Sequence, residues 1–259
     1  MKKILAVIGS PRKGETYKAV SKFEEELKKT EAVEVEYLML SELKFADCTG
    51  CHSCILKGQS YCREAQKVEG IINKMLAADA VILATPVYNQ HVTALMKKFL
   101  DYLTYLWHRP AMFGVKFFGL STGGGMFGGV FKFLKSNVNS WGGIWMGSLG
   151  VPHYEALTPK YKKKCDDDFK KSAGQFLMKI GDKALPKPSF GQLMMFNVWK
   201  MNAVACKESN PADYEWWTGH DFLNKSYYYE IKIGFPKRLL LKLVTGIARS
   251  FMRKVYIGY

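Results

Sequence analysis

The 259-residue chain is 48% hydrophobic and 14% aromatic, enough for a sizeable buried core, and its length suits one α/β domain with an elaboration or two small domains. Its six cysteines are too few and too clustered for a disulfide scaffold, which points to a reducing, cytoplasmic setting. The formal net charge is +15, but no nucleic-acid reader motif or basic–aromatic repeat accompanies it, and no window offers the roughly 18 consecutive apolar residues of a membrane span.

From the start, Lys3–Gly9 is an apolar run that reads as a buried first strand. It is too short for a signal peptide, and Pro11-Arg12-Lys13 stands where a cleavage site would be. Thr16–Lys29 has helical spacing at Val20, Phe23 and Leu27, and Val33–Leu40 alternates as a second strand. An irregular, cysteine-rich segment follows, then a helix over Val68–Ala78 and a short buried strand at Ala80–Thr85. Val92–Leu106 reads as a helix, Val115–Ser121 as a strand, Val130–Val138 as a helix and Ile144–Val151 as a fifth strand. A lysine-rich helix covers roughly Lys160–Ile180.

Strands alternating with helices predict a doubly wound, five-stranded parallel sheet. Right-handed crossovers leave the flavodoxin-like order 2-1-3-4-5 as the natural one, with a ligand crevice between strands one and three. The expected division is a flavodoxin-like domain over residues 1–184, containing a cysteine loop at 47–62, and a mainly helical C-terminal extension over 185–259.

The loop after the first strand, Gly9-Ser10-Pro11-Arg12-Lys13-Gly14-Glu15-Thr16-Tyr17, offers hydroxyls, cations and the free N–H groups of a helix start, a combination suited to an anion. Gly9 and Gly14 have Walker-type spacing, but Glu15 occupies the lysine position, and the loop is not G-x-G-x-x-G. A small phosphate cup remains, with a plain tight turn as the alternative. The third strand runs into Pro86-Val87-Tyr88-Asn89, where Tyr88 taken alone fits a packed surface tyrosine as well as a ligand. The fourth runs into Thr122-Gly123-Gly124-Gly125, whose glycines permit close backbone approach.

G-S-P-R-K-G-x-T, followed by P-V-Y and a helix containing K-K-F-L-D, resembles the NAD(P)H-dependent FMN reductases and their relatives, the iron–sulfur flavoproteins. The resemblance covers about residues 1–180. It implies that Ser10, Arg12, Thr16 and the backbone near Tyr17 hold the FMN phosphate. It further implies that Pro86, Val87, Tyr88 and Asn89 wrap the ring and ribityl chain, and that Thr122, Gly123, Gly124 and Gly125 approach the pyrimidine side. No catalytic side chain is expected, since FMN carries the chemistry.

Cys48, Cys51, Cys54 and Cys62 form a C-x2-C-x2-C-x7-C run of soft ligands. The resemblance makes them ligands of one 4Fe–4S cluster; cysteines kept without a cluster, and zinc, stay open as alternatives. The implied function is an FMN-dependent oxidoreductase moving electrons from NAD(P)H to an acceptor. Its alternative is an iron–sulfur flavoprotein that carries electrons, reduced by ferredoxin and without nicotinamide activity. Partners expected are therefore a small molecule or a ferredoxin-like protein, with a homo-oligomer as the assembled form. His52 is expected to be exposed, and His91, His108, His153 and His220 show no metal spacing.

In the extension, the Met-rich stretch at Leu193–Phe196 precedes a helix at Asn197–Ala205 that reads as core packing, with a dimer-contact or lid helix as the alternative. Asp213–Trp217 and Tyr227–Tyr229 are aromatic and are read as a cap on the crevice. Residues 236–256 form a basic amphipathic helix, with Arg238, Lys242, Arg249 and Arg253 on one arc and Leu239, Leu240, Leu243, Val244, Ile247, Phe251 and Val255 opposite. Packing on its own domain or a dimer mate is the first expectation. Peripheral contact with the inner face of the membrane is the second.

Overall fold

A computed structural model describes residues 1–182 and 184–255. The strands are β1 (Lys2–Ile8), β2 (Val33–Met39), β3 (Ala80–Pro86), β4 (Lys116–Gly123) and β5 (Ile144–Pro152). They pair in parallel in the order β2-β1-β3-β4-β5, as the alternation predicts. Crossing between them are α1 (Glu15–Lys28), α2 (Ser53–Leu56), α3 (Ala65–Ala77), α4 (Ala94–Tyr102) and α5 (Phe127–Ser140). Then come α6 (Pro159–Ile180), α7 (Phe190–Ala205), α8 (Pro211–Gly219) and α9 (Phe235–Val255).

The central strands are apolar on both faces because helices cover both, as parallel sheets require. Along β1, Ile4, Ala6 and Ile8 face one layer, together with Ile82 of β3 and Phe118 of β4. Val20, Phe23 and Leu27 of α1 and Phe169, Phe176 and Ile180 of α6 close that layer. Three rings lock it: Phe23 stacks on Phe118 at 5.1 Å, and Phe176 meets both edge-on at 5.5 and 5.6 Å. Successive strand side chains alternate, so the equally buried Leu5, Val7, Val81 and Leu83 face the opposite layer. Lys116, almost fully buried, donates from Nζ to the Ile180 carbonyl at 2.8 Å. A cation at that helix C-terminus satisfies an orphan carbonyl and complements the dipole.

The chain divides into two compact units. One comprises Met1–Thr49 with Glu64–Leu185; the other comprises Gly50–Arg63 with the chain from Pro186 onward. The cysteine loop at 47–62, expected inside the sheet domain and without regular structure, is therefore split. Its second part contains α2 and a 3-10 turn at Gln59–Tyr61, and it joins the second unit because α2 packs against α8.

The second unit has its own aromatic core, with Leu193, Phe196, Trp217, Phe222, Tyr227 and Leu241 buried together. Helix α7 is one continuous element, because a capping box of Ser189 and Gln192 starts it ahead of the Met-rich stretch. Of the aromatic residues read as a crevice cap, Trp217 and Tyr227 pack on Phe196, with ring centroids 5.2 and 5.6 Å away. Large, rigid rings supply most of what so small a core can bury. Tyr256, the last residue of the predicted basic helix, lies outside the described residues.

Candidate functional site

In an open parallel sheet the loops leaving the strand C-termini on either side of a reversal in strand order form the ligand crevice. Here that reversal lies between β1 and β3, and β4 adjoins β3. The predicted residues after β1, β3 and β4 therefore share one edge of the first unit. What joins them is Thr122, a buried residue at the end of β4. Its Oγ1 lies 2.7 Å from Oγ1 of Thr16, at the start of α1. Its carbonyl accepts the Val87 N–H at 2.8 Å. One residue thus ties the first and third loops to the fourth strand.

The first loop offers donors suited to an anion. Ser10 is buried and its Oγ donates to the Arg12 carbonyl at 2.8 Å, folding the turn on itself. Gly14 N-caps α1 and no side chain caps that end. The first-turn N–H groups and the positive end of the dipole are thereby left for a bound anion. Arg12 is exposed, yet its Cγ, Cδ and Nε lie 3.4–3.8 Å from where a Gly14 Cβ would sit, so its stem curls over the helix start. Lys13 is turned toward Glu42, at 3.7 Å.

The third loop makes a tight reversal. Tyr88 and His91 exchange backbone hydrogen bonds at 3.0 Å, with Asn89 and Gln90 between them at φ 46° and 66°. Two consecutive left-handed residues form a type I′ turn, and Gln90 holds that conformation without glycine's freedom. Tyr88 is half exposed at the mouth, in keeping with a flat surface offered to a ligand.

In the fourth loop, Gly123 sits at φ 155°, and a Cβ there would come within 3.2 Å of the Val87 Cβ. Gly125, at φ 144°, has nothing within 4 Å of its Cβ position. The loop therefore packs closely where it meets Val87 and is open beyond.

Sequence reasoning missed the buried hydroxyls that hold this edge in shape. Thr93 caps α4 and donates from Oγ1 to the Gly9 carbonyl at 2.5 Å, and Ser121 donates from Oγ to the Thr85 carbonyl at 2.8 Å. Gly9 is needed for the same reason, since a Cβ there would lie 2.8 Å from the Met96 Cβ. A hydroxyl next to a loop motif, one strand position inward, is the signal that could have found Thr85 and Ser121. His153 was set aside for lack of metal spacing, but its Nε2 lies 4.0 Å from the Gly124 Cβ position, beside the fourth loop.

The cysteines behave differently. Cys48 belongs to the first unit, and Cys51, Cys54 and Cys62 to the second. Cys48 and Cys51 are exposed, whereas Cys54 and Cys62 are half-buried. Among the described residues no three His, Cys, Asp or Glu side chains gather into a metal-holding group. Just before Cys48, Phe45 stacks on Tyr102 of α4 at 5.2 Å, and Tyr102 donates from Oη to the Ala46 carbonyl at 2.9 Å. Cys165 is buried in the α6 core, where burial pushes its thiol up, so it is a packing residue.

The observed edge gathers three loops at the switch point of a flavodoxin-like sheet. Residues 2–157, more than half the chain, match the NADPH-dependent FMN reductase family, and the chain belongs to that family of flavin oxidoreductases. An iron–sulfur flavoprotein of Archaeoglobus fulgidus is 38% identical over 113 residues, covering 43% of this chain and 50% of that one. An iron–sulfur flavoprotein of Methanosarcina thermophila is 32% identical over 142 residues, covering 54% of this chain and 72% of its own. The chain thus spans about half the length of the first of these curated relatives. An azoreductase structure from Bacillus anthracis superposes with a TM-score of 0.54 at 18% identity, over 69% of this chain and all of that one, and shows the shared fold.

Proposed function

We propose that this chain binds FMN across the loops after β1, β3 and β4 and carries electrons from NAD(P)H to an acceptor. The observation that carries the reading is Thr122 joining Thr16 and Val87, which brings the three expected flavin-binding loops to one edge. The residues present fit the group. An uncapped helix start under Arg12 suits the phosphate, and the open Gly125 leaves space beside the rim.

When bound, FMN supplies hydride acceptance and one- or two-electron release. The chain's own part is positioning. Ser10, Arg12, Thr16 and the first-turn amides would hold the phosphate, while Pro86–Asn89 and the Thr122–Gly125 backbone would line the ring. Backbone amides beside the ring would stabilise negative charge that develops there, without reorganising during the reaction. No side chain is required to remove a proton.

Mixing FMN-loaded protein anaerobically with NADH or NADPH tests the donor. Loss of the oxidised-flavin absorbance within seconds is expected with at least one of them. An unchanged spectrum with both, alongside full reduction by dithionite, would rule out the nicotinamide donor.

A second reading is an iron–sulfur electron carrier, favoured by the C-x2-C-x2-C-x7-C spacing and by the relatives' names. Cys48, Cys51, Cys54 and Cys62 would hold the cluster. Anaerobically isolated protein should then carry about four irons and four sulfides per chain, and cysteine-to-serine variants should lose them. Iron below about one per chain after anaerobic purification would reject this reading.

A further inference from the structure

Helix α9 shows three distinct faces. It contacts α7, and its inner face carries Leu241, buried with the second unit's aromatic core, and the half-buried Val244, Ala248 and Met252. Five large apolar residues lie elsewhere. Leu239, Leu240, Leu243, Ile247 and Phe251 are 59%, 49%, 61%, 63% and 62% exposed. At about 100° per residue they span an arc of roughly 120° that points away from the inner face. Arg238, Lys242, Arg249 and Arg253, all exposed, fall within roughly 60° along one border of that arc.

Of the apolar arc predicted from periodicity, Val244 alone is half-buried and the rest is exposed. Five large apolar side chains are thus left in water, a patch that calls for a partner.

We infer that this face of α9 docks on an anionic lipid surface, lying in the interface plane with its leucines, Ile247 and Phe251 among the acyl chains. Charge decides among the possible occupants. From Ile231 through Val255 there are seven cations and no carboxylate. Pairing two copies through this face would bring two cationic borders together with nothing on either helix to neutralise them. An anionic leaflet supplies the opposite charge at the depth where the arginines and lysines would lie. Lys254, which falls on the apolar arc at the helix end, has a stem long enough to reach the headgroups. Among the described residues no helix is long and apolar enough to cross a bilayer, so the contact is peripheral.

Vesicle flotation of the full-length chain tests this. Binding is expected to phosphatidylcholine vesicles containing about 30 mol% phosphatidylglycerol and not to phosphatidylcholine alone. It should weaken as salt rises from about 0.05 to 0.5 M. The double variant Leu243→Glu/Ile247→Glu should lower partitioning roughly tenfold or more, since it places charge on the inserted face. Both positions are exposed, so an unchanged circular dichroism spectrum and unchanged flavin binding should accompany that loss. Absence of flotation at low salt overturns the inference. So does flotation that survives the double variant, which would mean attraction by charge alone. Concentration-dependent dimerisation that the double variant abolishes, without vesicle binding, would assign the face to a second copy and overturn it equally.

Discussion

Replacing Arg12 with alanine is expected to weaken FMN binding by roughly 10–100-fold. The guanidinium stem curls over the uncapped start of α1, where the buried Ser10 and Thr16 place their hydroxyls. A hydrogen bond to a charged group contributes about 1.5–3 kcal/mol, which corresponds to that range of dissociation constants. Arg12→Lys should fall between, since it keeps the charge but loses the planar fork. Lys18→Ala, which removes an exposed partner of Glu15, should change affinity by less than about twofold. Flavin fluorescence titration reads all three. An Arg12→Ala variant that binds like the parent would remove this residue from the phosphate cup.

Phe176→Ala is expected to destabilise the sheet unit by about 3–5 kcal/mol. Phe176 is 1% exposed and meets both Phe23 and Phe118, so its removal opens a cavity where α1, α6 and β4 join. Against a total of about 5–15 kcal/mol this is a large fraction of the stability. Urea denaturation followed by far-ultraviolet circular dichroism should show a lower midpoint with little change in slope. The ring lies in the core and takes no part in the flavin edge, so FMN affinity at low denaturant should be retained. A loss below about 1 kcal/mol would mean that the neighbouring rings collapse into the space.

The sheet was legible because each central strand is a short apolar run bounded by turn residues, and each helix shows its own spacing. Strand order followed from alternation and crossover handedness. The site was legible where chemistry shows in the sequence: the Ser10–Thr16 loop, Pro86–Asn89 and the glycines after Thr122. Thr93, Ser121 and Thr85 were not, because a buried hydroxyl on a strand or cap reads like any small residue until its acceptor is located. Partnering was the other blind spot. Periodicity found the arcs of α9 but gave no sign that Leu241 is buried, and Val244 and Ala248 half-buried, while Leu243 and Ile247 stay exposed. Likewise Trp217 and Tyr227 offered large apolar surface without showing that Phe196 would cover it. The cysteine spacing was plain, but not that the segment from Gly50 onward joins the second unit through α2 and α8.

The central claim is a phosphate-anchored FMN site at the edge joined by Thr122. Its most direct test is an equilibrium titration of the flavin-free, full-length chain with FMN and, in parallel, with riboflavin, which lacks the phosphate. Saturable binding of about one FMN per chain is predicted, with riboflavin weaker by roughly tenfold or more because the cup's charge-assisted hydrogen bonds are lost. Equal affinity for both flavins, or no saturable FMN binding, would contradict it.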